Sequence, residues 1–157
     1  MPLFEPKLEF IADLVGYVTM PVPIGPAAWG TRLIFPLVRG TAEGPKLKGK
    51  ARPFGADWAI IRADNCLELD VRLIIDTHDG ALIHVEYRGV IDMTKEQVEQ
   101  LLSGQSVEGM KIHTAPRFET SHPDYVWLNR IQAVGCGSGE LVGEELKVSY
   151  SLYALRS

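Results

Sequence analysis

Apolar and polar positions alternate along most of this chain with the two-residue period of β-strands. Fifteen glycines and ten prolines break it at short intervals, and the stretches between them are rich in β-branched and aromatic residues. The pattern predicts strands over residues 8–19, 29–38, 46–53, 58–63, 67–76, 81–90, 112–120, 126–135 and 145–155. One segment departs from that period. Thr94 is a good N-cap, Gln97 stands where a capping box needs it, and Val98, Leu101 and Leu102 form an apolar stripe ended by Gly104. One short helix near residues 94–103 follows. No shift in composition divides the chain, so residues 1–157 are read as one domain. That many strands on short connections must split into a sandwich or close on themselves. Sequential hairpins favour closure, giving an all-β, antiparallel, mostly up-and-down β-barrel.

The most informative passage runs from Leu67 to Val90 around His78-Asp79-Gly80. A two-residue Asp-Gly turn would set Leu73 opposite Glu86 and Val71 opposite Arg88, mixing apolar with charged side chains. A three-residue loop with Gly80 left-handed sets Asp70 opposite Arg88 and Arg72 opposite Glu86. The other face then pairs Val71 with Tyr87, Leu73 with Val85 and Ile75 with Ile83. Opposite charges and clean segregation both select the longer loop. The ribbon has one apolar face and one face bearing Glu68, Asp70, Arg72, His84, Glu86 and Arg88. Alternation fixes that the faces differ but leaves open which lines the barrel. The charges are either a solvated exterior over an apolar core, or the lining of a ligand cavity with the apolar face under the helix or a partner subunit.

Composition removes several function classes. Hydrophobic residues make up 46% and charged residues 23%, an ordinary globular balance, and a formal charge of −4 offers no basic face for nucleic acid. No apolar run is long enough to cross a bilayer as a helix, and residues 17–29 carry Pro21, Pro23 and Pro26, which exclude a helix there. Glu5, Lys7 and Glu9 stand where a secretory signal would be apolar. Cys66 and Cys136 have no paired spacing, so reduced thiols and a cytoplasmic location are expected. His84, His113 and His122 form no ligand pattern, and no metal is expected. Gly135-Cys136-Gly137-Ser138-Gly139 lacks the helix that follows a phosphate loop and reads as a flexible hairpin. Ser138 lacks the setting of a nucleophile elbow, and Cys66 has no evident activating base.

Several ordered stretches carry a resemblance: Gly30-Thr31-Arg32, Gly44-Pro45 with Gly49, Gly55-Ala56-Asp57-Trp58, Leu69-Asp70-Val71-Arg72, Asp79-Gly80-Ala81, Thr114-Ala115-Pro116-Arg117-Phe118-Glu119-Thr120 and Trp127-Leu128-Asn129-Arg130. From about Val15 onward the chain resembles uncharacterised protein family 0311, also known as domain of unknown function 3237. Two departures stand out: Arg39-Gly40 where the family has Gly-Gly, and Ile112-His113 where it has a Phe. The resemblance implies a calycin-like β-barrel and no established activity.

The polar members of those motifs supply the candidate site. Arg117 and Glu119 share strand parity, as do Asp70 and Arg72, so several strands could send guanidinium and carboxylate groups toward one space. Glu119 or Asp70 would be the catalytic base, and Arg72 or Arg117 would hold a substrate carboxylate bidentately. Asp57, Trp58, Glu86, Arg88, Trp127 and Asn129 would complete the ligand-binding set, the two tryptophans as flat walls. The alternative is a salt-bridge network satisfied within the protein. The expectation is a small-molecule-binding barrel for an aromatic or carboxylated metabolite, with cofactor-free acid–base chemistry such as isomerisation, hydration or lyase cleavage. A non-catalytic carrier or sensor, or a purely structural oligomer, are the rivals. The expected partner is a small molecule, with no nucleic acid or membrane, and the apolar face and lone helix suggest a homo-oligomer.

Overall fold

The computed structural model describes residues 1–157. The strands are β1 (Lys7–Thr19), β2 (Val22–Ala27), β3 (Gly30–Glu43), β4 (Gly49–Ile61), β5 (Leu67–Thr77), β6 (Leu82–Ile91), β7 (Ile112–Glu119), β8 (Ala133–Val142) and β9 (Glu145–Arg156). Helix α1 (Lys95–Leu102) lies between β6 and β7, and a 3₁₀ turn at Val126–Arg130 lies between β7 and β8. From β3 to β9 each strand pairs antiparallel with its neighbour in sequence, and β1 pairs with both β9 and β3. The last contact closes an eight-stranded up-and-down barrel.

The proline-rich segment continues the line of β1 along β3 as β2, whose outer edge has no strand partner. Pro23 and Pro26 remove backbone donors from that edge and disfavour further pairing. Helix α1 starts at Thr94 with the expected capping box: Thr94 Oγ1 accepts from the Gln97 amide at 3.1 Å, and Gln97 Oε1 accepts from the Thr94 amide at 2.9 Å.

The β5–β6 hairpin has the three-residue-loop register: Asp70 opposite Arg88, Val71 opposite Tyr87, Arg72 opposite Glu86. Its apolar face is the one that turns inward. Leu73, Ile75, Ile83 and Val85 are buried, whereas Arg72, Glu86 and Arg88 are exposed. Magnitudes account for the choice. Burying each large aliphatic side chain is worth about 1.5–3 kcal/mol. An exposed ion pair contributes about 0–1 kcal/mol, while desolvating a charge costs several kcal/mol.

Three expectations are corrected. Residues 46–53 and 58–63 belong to one strand, β4, interrupted by a bulge. Residues 126–130 form the 3₁₀ turn, and the strand starts at Ala133. The Gly135–Gly139 run lies within β8 rather than in a flexible hairpin; Gly135 and Gly137 pack where neighbouring groups leave no room for a Cβ, which at Gly137 would meet Ser149 O at 2.1 Å.

The β4 bulge opens the barrel wall at one place. Two ladder steps on β5, from Ile75 to Leu73, match four on β4, from Ala51 to Gly55, so Arg52, Pro53 and Phe54 loop outward. Arg52 anchors the loop through Nε and Nη2 to the carboxylate of Asp76, at 2.7 and 3.0 Å. The ladder resumes at Gly55, where φ is +110° and a Cβ would sit 2.2 Å from Arg72 O. Glycine meets both demands at once. Gly55→Ala is therefore expected to destabilise the fold by about 2 kcal/mol or more, since it combines backbone strain with a main-chain clash. Chemical denaturation of the variant beside the parent protein measures this.

Candidate functional site

The barrel encloses a cavity of about 90 Å³ lined almost entirely by aliphatic and aromatic side chains. Leu14, Val18, Leu69, Val71 and Val148 form much of its wall, and Leu101 of α1 closes on it together with Met110. Leu37, Gly40, Thr41, Ala51 and Ala56 also border it. These residues flank the interval where β3 and β4 lose their pairing, so the cavity reaches the wall where the ladder is interrupted.

Asp57 is the one carboxylate bordering this space. It follows the bulge on the inward side of β4, opposite inward-facing Val71 on β5 and Phe35 on β3. Its Oδ1 accepts a hydrogen bond from the Asp70 amide at 2.9 Å. Burial in apolar surroundings raises its pKa to about 7; the Asp70 amide and the charge of Arg32 oppose the rise, and the negative charge of Asp70 adds to it. A carboxyl poised there exchanges a proton readily near neutral pH.

Tyr87 from β6 and Tyr150 from β9 also border the cavity, their rings edge to face with centroids 5.8 Å apart. Burial raises both phenol pKa values and the Asp57 carboxylate adds to each, while interaction between the two hydroxyls raises Tyr87 and lowers Tyr150; the net direction is upward for both, so both stay protonated. The interior thus combines a half-buried carboxyl, its pKa raised to about 7, with two phenolic hydroxyls in a largely apolar space. No three His, Cys, Asp or Glu side chains converge in metal-binding geometry.

Of the residues singled out in the sequence, only Asp57 brings its functional group to this cavity. Arg72 also borders it, but its guanidinium is turned outward toward Asp70 and Glu86, at 3.9 and 3.7 Å. Asp70, Arg72, Glu86, Arg88, Arg117 and Glu119 do share one face, as their parity requires, but that face is the outside of β5, β6 and β7. There Arg72, Glu86 and Arg117 stand in one cross-strand row, and Glu119 stands opposite His84. The expectation that these charges line the interior is overturned by the burial preference of the opposite face.

Trp127 is half-buried beside the core with Lys46 Nζ 5.5 Å from its ring centroid. Asn129 clasps the main chain of Thr120, accepting from its N–H and donating to its C=O, both at 2.8 Å. Neither residue borders the cavity. Trp58 lies on the outer face, 37% exposed, beside Asp70 and Arg88 in a separate groove. Tyr87 and Tyr150 were not singled out, although a signal existed. Each carries a hydroxyl on the apolar face of its strand, beside Val85 in one case and Leu152 in the other.

Comparison with known proteins agrees with the fold and leaves the activity unnamed. A family model described as a protein of unknown function (DUF3237) matches residues 6–155. A UPF0311 protein from Rhodopseudomonas palustris (strain TIE-1) is 38% identical over 137 residues, covering 85% of this chain and 88% of its own. The crystal structure of a conserved protein of unknown function from Rhodopseudomonas palustris superposes with a TM-score of 0.85 at 28% identity, covering 99% of this chain and all (100%) of that one. A structure described as an enzyme from Penicillium herquei shares the fold, with a TM-score of 0.70 and 20% identity over 99% and 98% of the two chains. On the match across residues 6–155 and the identity to its relatives, this chain belongs to the DUF3237 (UPF0311) family of β-barrel proteins.

Proposed function

We propose that the barrel interior binds a small, neutral, largely apolar molecule carrying one carbonyl or enol oxygen, and catalyses proton transfer on it. The carrying observation is a lone carboxyl, Asp57, inside an apolar cavity with its pKa raised to about 7. In its ionised form Asp57 takes a proton from the carbon beside the carbonyl. The Tyr87 and Tyr150 hydroxyls donate hydrogen bonds to the oxygen on which charge develops. Return of the proton to another position gives isomerisation, and loss of a neighbouring hydroxyl as water gives dehydration.

The interior disfavours a carboxylated ligand. No guanidinium or ammonium group faces the cavity, and a carboxylate there would be buried beside Asp57 without a counter-charge. Size sets a second limit. About 90 Å³ is below the roughly 150 Å³ of an engineered apolar cavity that admits benzene. A single-ring ligand would therefore require the wall to yield, and the gap in the β3–β4 ladder between Pro36 and Gly40 is an unpaired stretch that borders the cavity.

Hydrogen–deuterium exchange at the α-carbon of cyclohexanone, followed by proton NMR in D₂O, tests the chemistry without knowledge of the natural substrate. The protein is expected to accelerate exchange, with a rate that rises with pH and levels off above an apparent pKa near 7. Asp57→Asn is expected to reduce that acceleration about 100-fold or more. Binding of cyclohexanone without accelerated exchange would contradict catalysis and leave a carrier. Equal exchange by the parent and Asp57→Asn would contradict the assignment of the base.

The same carboxyl makes stability depend on pH. In the unfolded chain Asp57 ionises near its ordinary value of about 3.9, whereas in the folded protein it holds its proton until about pH 7. Stability from this group is fully present below the lower value and is lost as pH rises through the upper one. Relative to Asp57→Asn, the parent protein is expected to lose up to about 1.4 kcal/mol per pH unit across that window, with no further relative loss above it. Urea denaturation of both proteins between pH 4 and pH 8 checks the sign and the plateau.

A further inference from the structure

A second concavity, of about 220 Å³, lies on the outside of the barrel where the tip of the β2–β3 hairpin meets the outer faces of β4, β5 and β6. Trp29, Trp58, Arg32 and Arg88 border it, together with the carboxylates of Glu68 and Asp70, which pair with Arg62 and Arg88. Trp29 is 83% exposed at the hairpin tip. An indole in that position lacks the packing that normally accompanies so large an apolar side chain.

The arginines of this groove are not equivalent. Arg62 is saturated by Asp64 and by Glu68, the latter at 2.9 Å. Arg88 has a loose contact with Asp70 at 3.5 Å and is 73% exposed in its side chain. Arg32 is half-buried, and its one hydrogen bond runs from Nη1 to the backbone carbonyl of Trp58 at 2.8 Å. No carboxylate lies within ion-pair distance of it. A guanidinium has five donors in a rigid fork, and partial burial of an unpaired one is costly. The Trp58 bond fixes this fork beside an indole and leaves its other donors free. This is the arrangement that recognises a carboxylate attached to a flat ring.

We propose that this groove is a binding site, distinct from the barrel cavity, for a small aromatic carboxylate. The carboxylate lies on the free edge of Arg32 with Arg88 beside it, and the ring lies against Trp58 and Trp29. The interior cavity rejects an anion for lack of a cation, whereas the outer groove supplies one without a partner. The two sites therefore differ in the ligand charge they select, neutral inside and anionic outside.

Benzoate and its uncharged isostere benzamide are suitable probes, read by the indole N–H resonances of ¹⁵N-labelled protein. Benzoate is expected to shift the Trp29 and Trp58 signals saturably and to leave that of Trp127 unmoved. Benzamide is expected to bind at least tenfold more weakly. Arg32→Gln is expected to weaken benzoate at least tenfold. Trp29→Ala, which alters only an exposed tip, is expected to weaken it severalfold and decides the matter if the arginine variant fails to fold. The proposal is overturned by the absence of saturable shifts, or by equal affinity for the two probes. It is also overturned if Trp29 and Trp58 respond to protein concentration instead of benzoate, which would make the groove a contact between copies of the chain.

Discussion

Placing one carboxyl on the inward, apolar side of the barrel wall is the constraint on which the rest of this structure turns. Asp57 could avoid the cost of burial by pairing with a cation, but no guanidinium faces it across the cavity. It receives one amide hydrogen bond from Asp70 and meets the remaining cost by holding its proton up to about pH 7. Everything around it keeps it so. The inward faces of β5, β6 and β9 surround it with apolar side chains, and the bulge with Gly55 sets the strand so that the following carboxyl enters the barrel. Such a residue weakens the fold at neutral pH, a cost that the proposed acid–base role would explain.

The outer surface obeys the opposite logic. The rows of Arg, Asp and Glu on β5, β6 and β7 are in cross-strand register and exposed to solvent, where pairs such as Arg72 with Glu86 fix register more than they stabilise. Within that outer set Arg32 is the exception, half-buried with no carboxylate partner. The wall between groove and cavity is thin. Asp57 takes its hydrogen bond from the main chain of Asp70, whose carboxylate borders the outer groove, and the charge of Arg32 reaches Asp57 from that side. A ligand on one face of this wall is electrostatically felt on the other.

Much of this was legible in the residues. Segregation of charge along Leu67–Val90 selected the three-residue loop, and the ribbon has that register, pair for pair. Thr94 and Gln97 announced the capping box. Alternation, however, states that two faces differ and not which one is inside. The sign is set by burial across all the strands together, and it fell opposite to the charge-lined cavity. Asp57 is inward because it pairs with Val71 and Phe35, and its own strand did not announce this, since Ala56, Trp58 and Ile60 make the opposite parity equally apolar. The interruption at Arg52-Pro53-Phe54 hid it, because the bulge divides one strand into two apparent ones. Glycines were misread for a related reason. In β8 they serve close approach between strands, not flexibility.

The most direct test follows the Asp57 carboxyl itself, by ¹³C NMR of protein labelled at aspartate side-chain carbons and assigned with Asp57→Asn. One aspartate resonance, absent from the variant, should titrate near pH 7. If that resonance instead titrates in the ordinary range near pH 4, the carboxyl is fully solvated, the apolar interior does not act on it, and the acid–base reading falls with it.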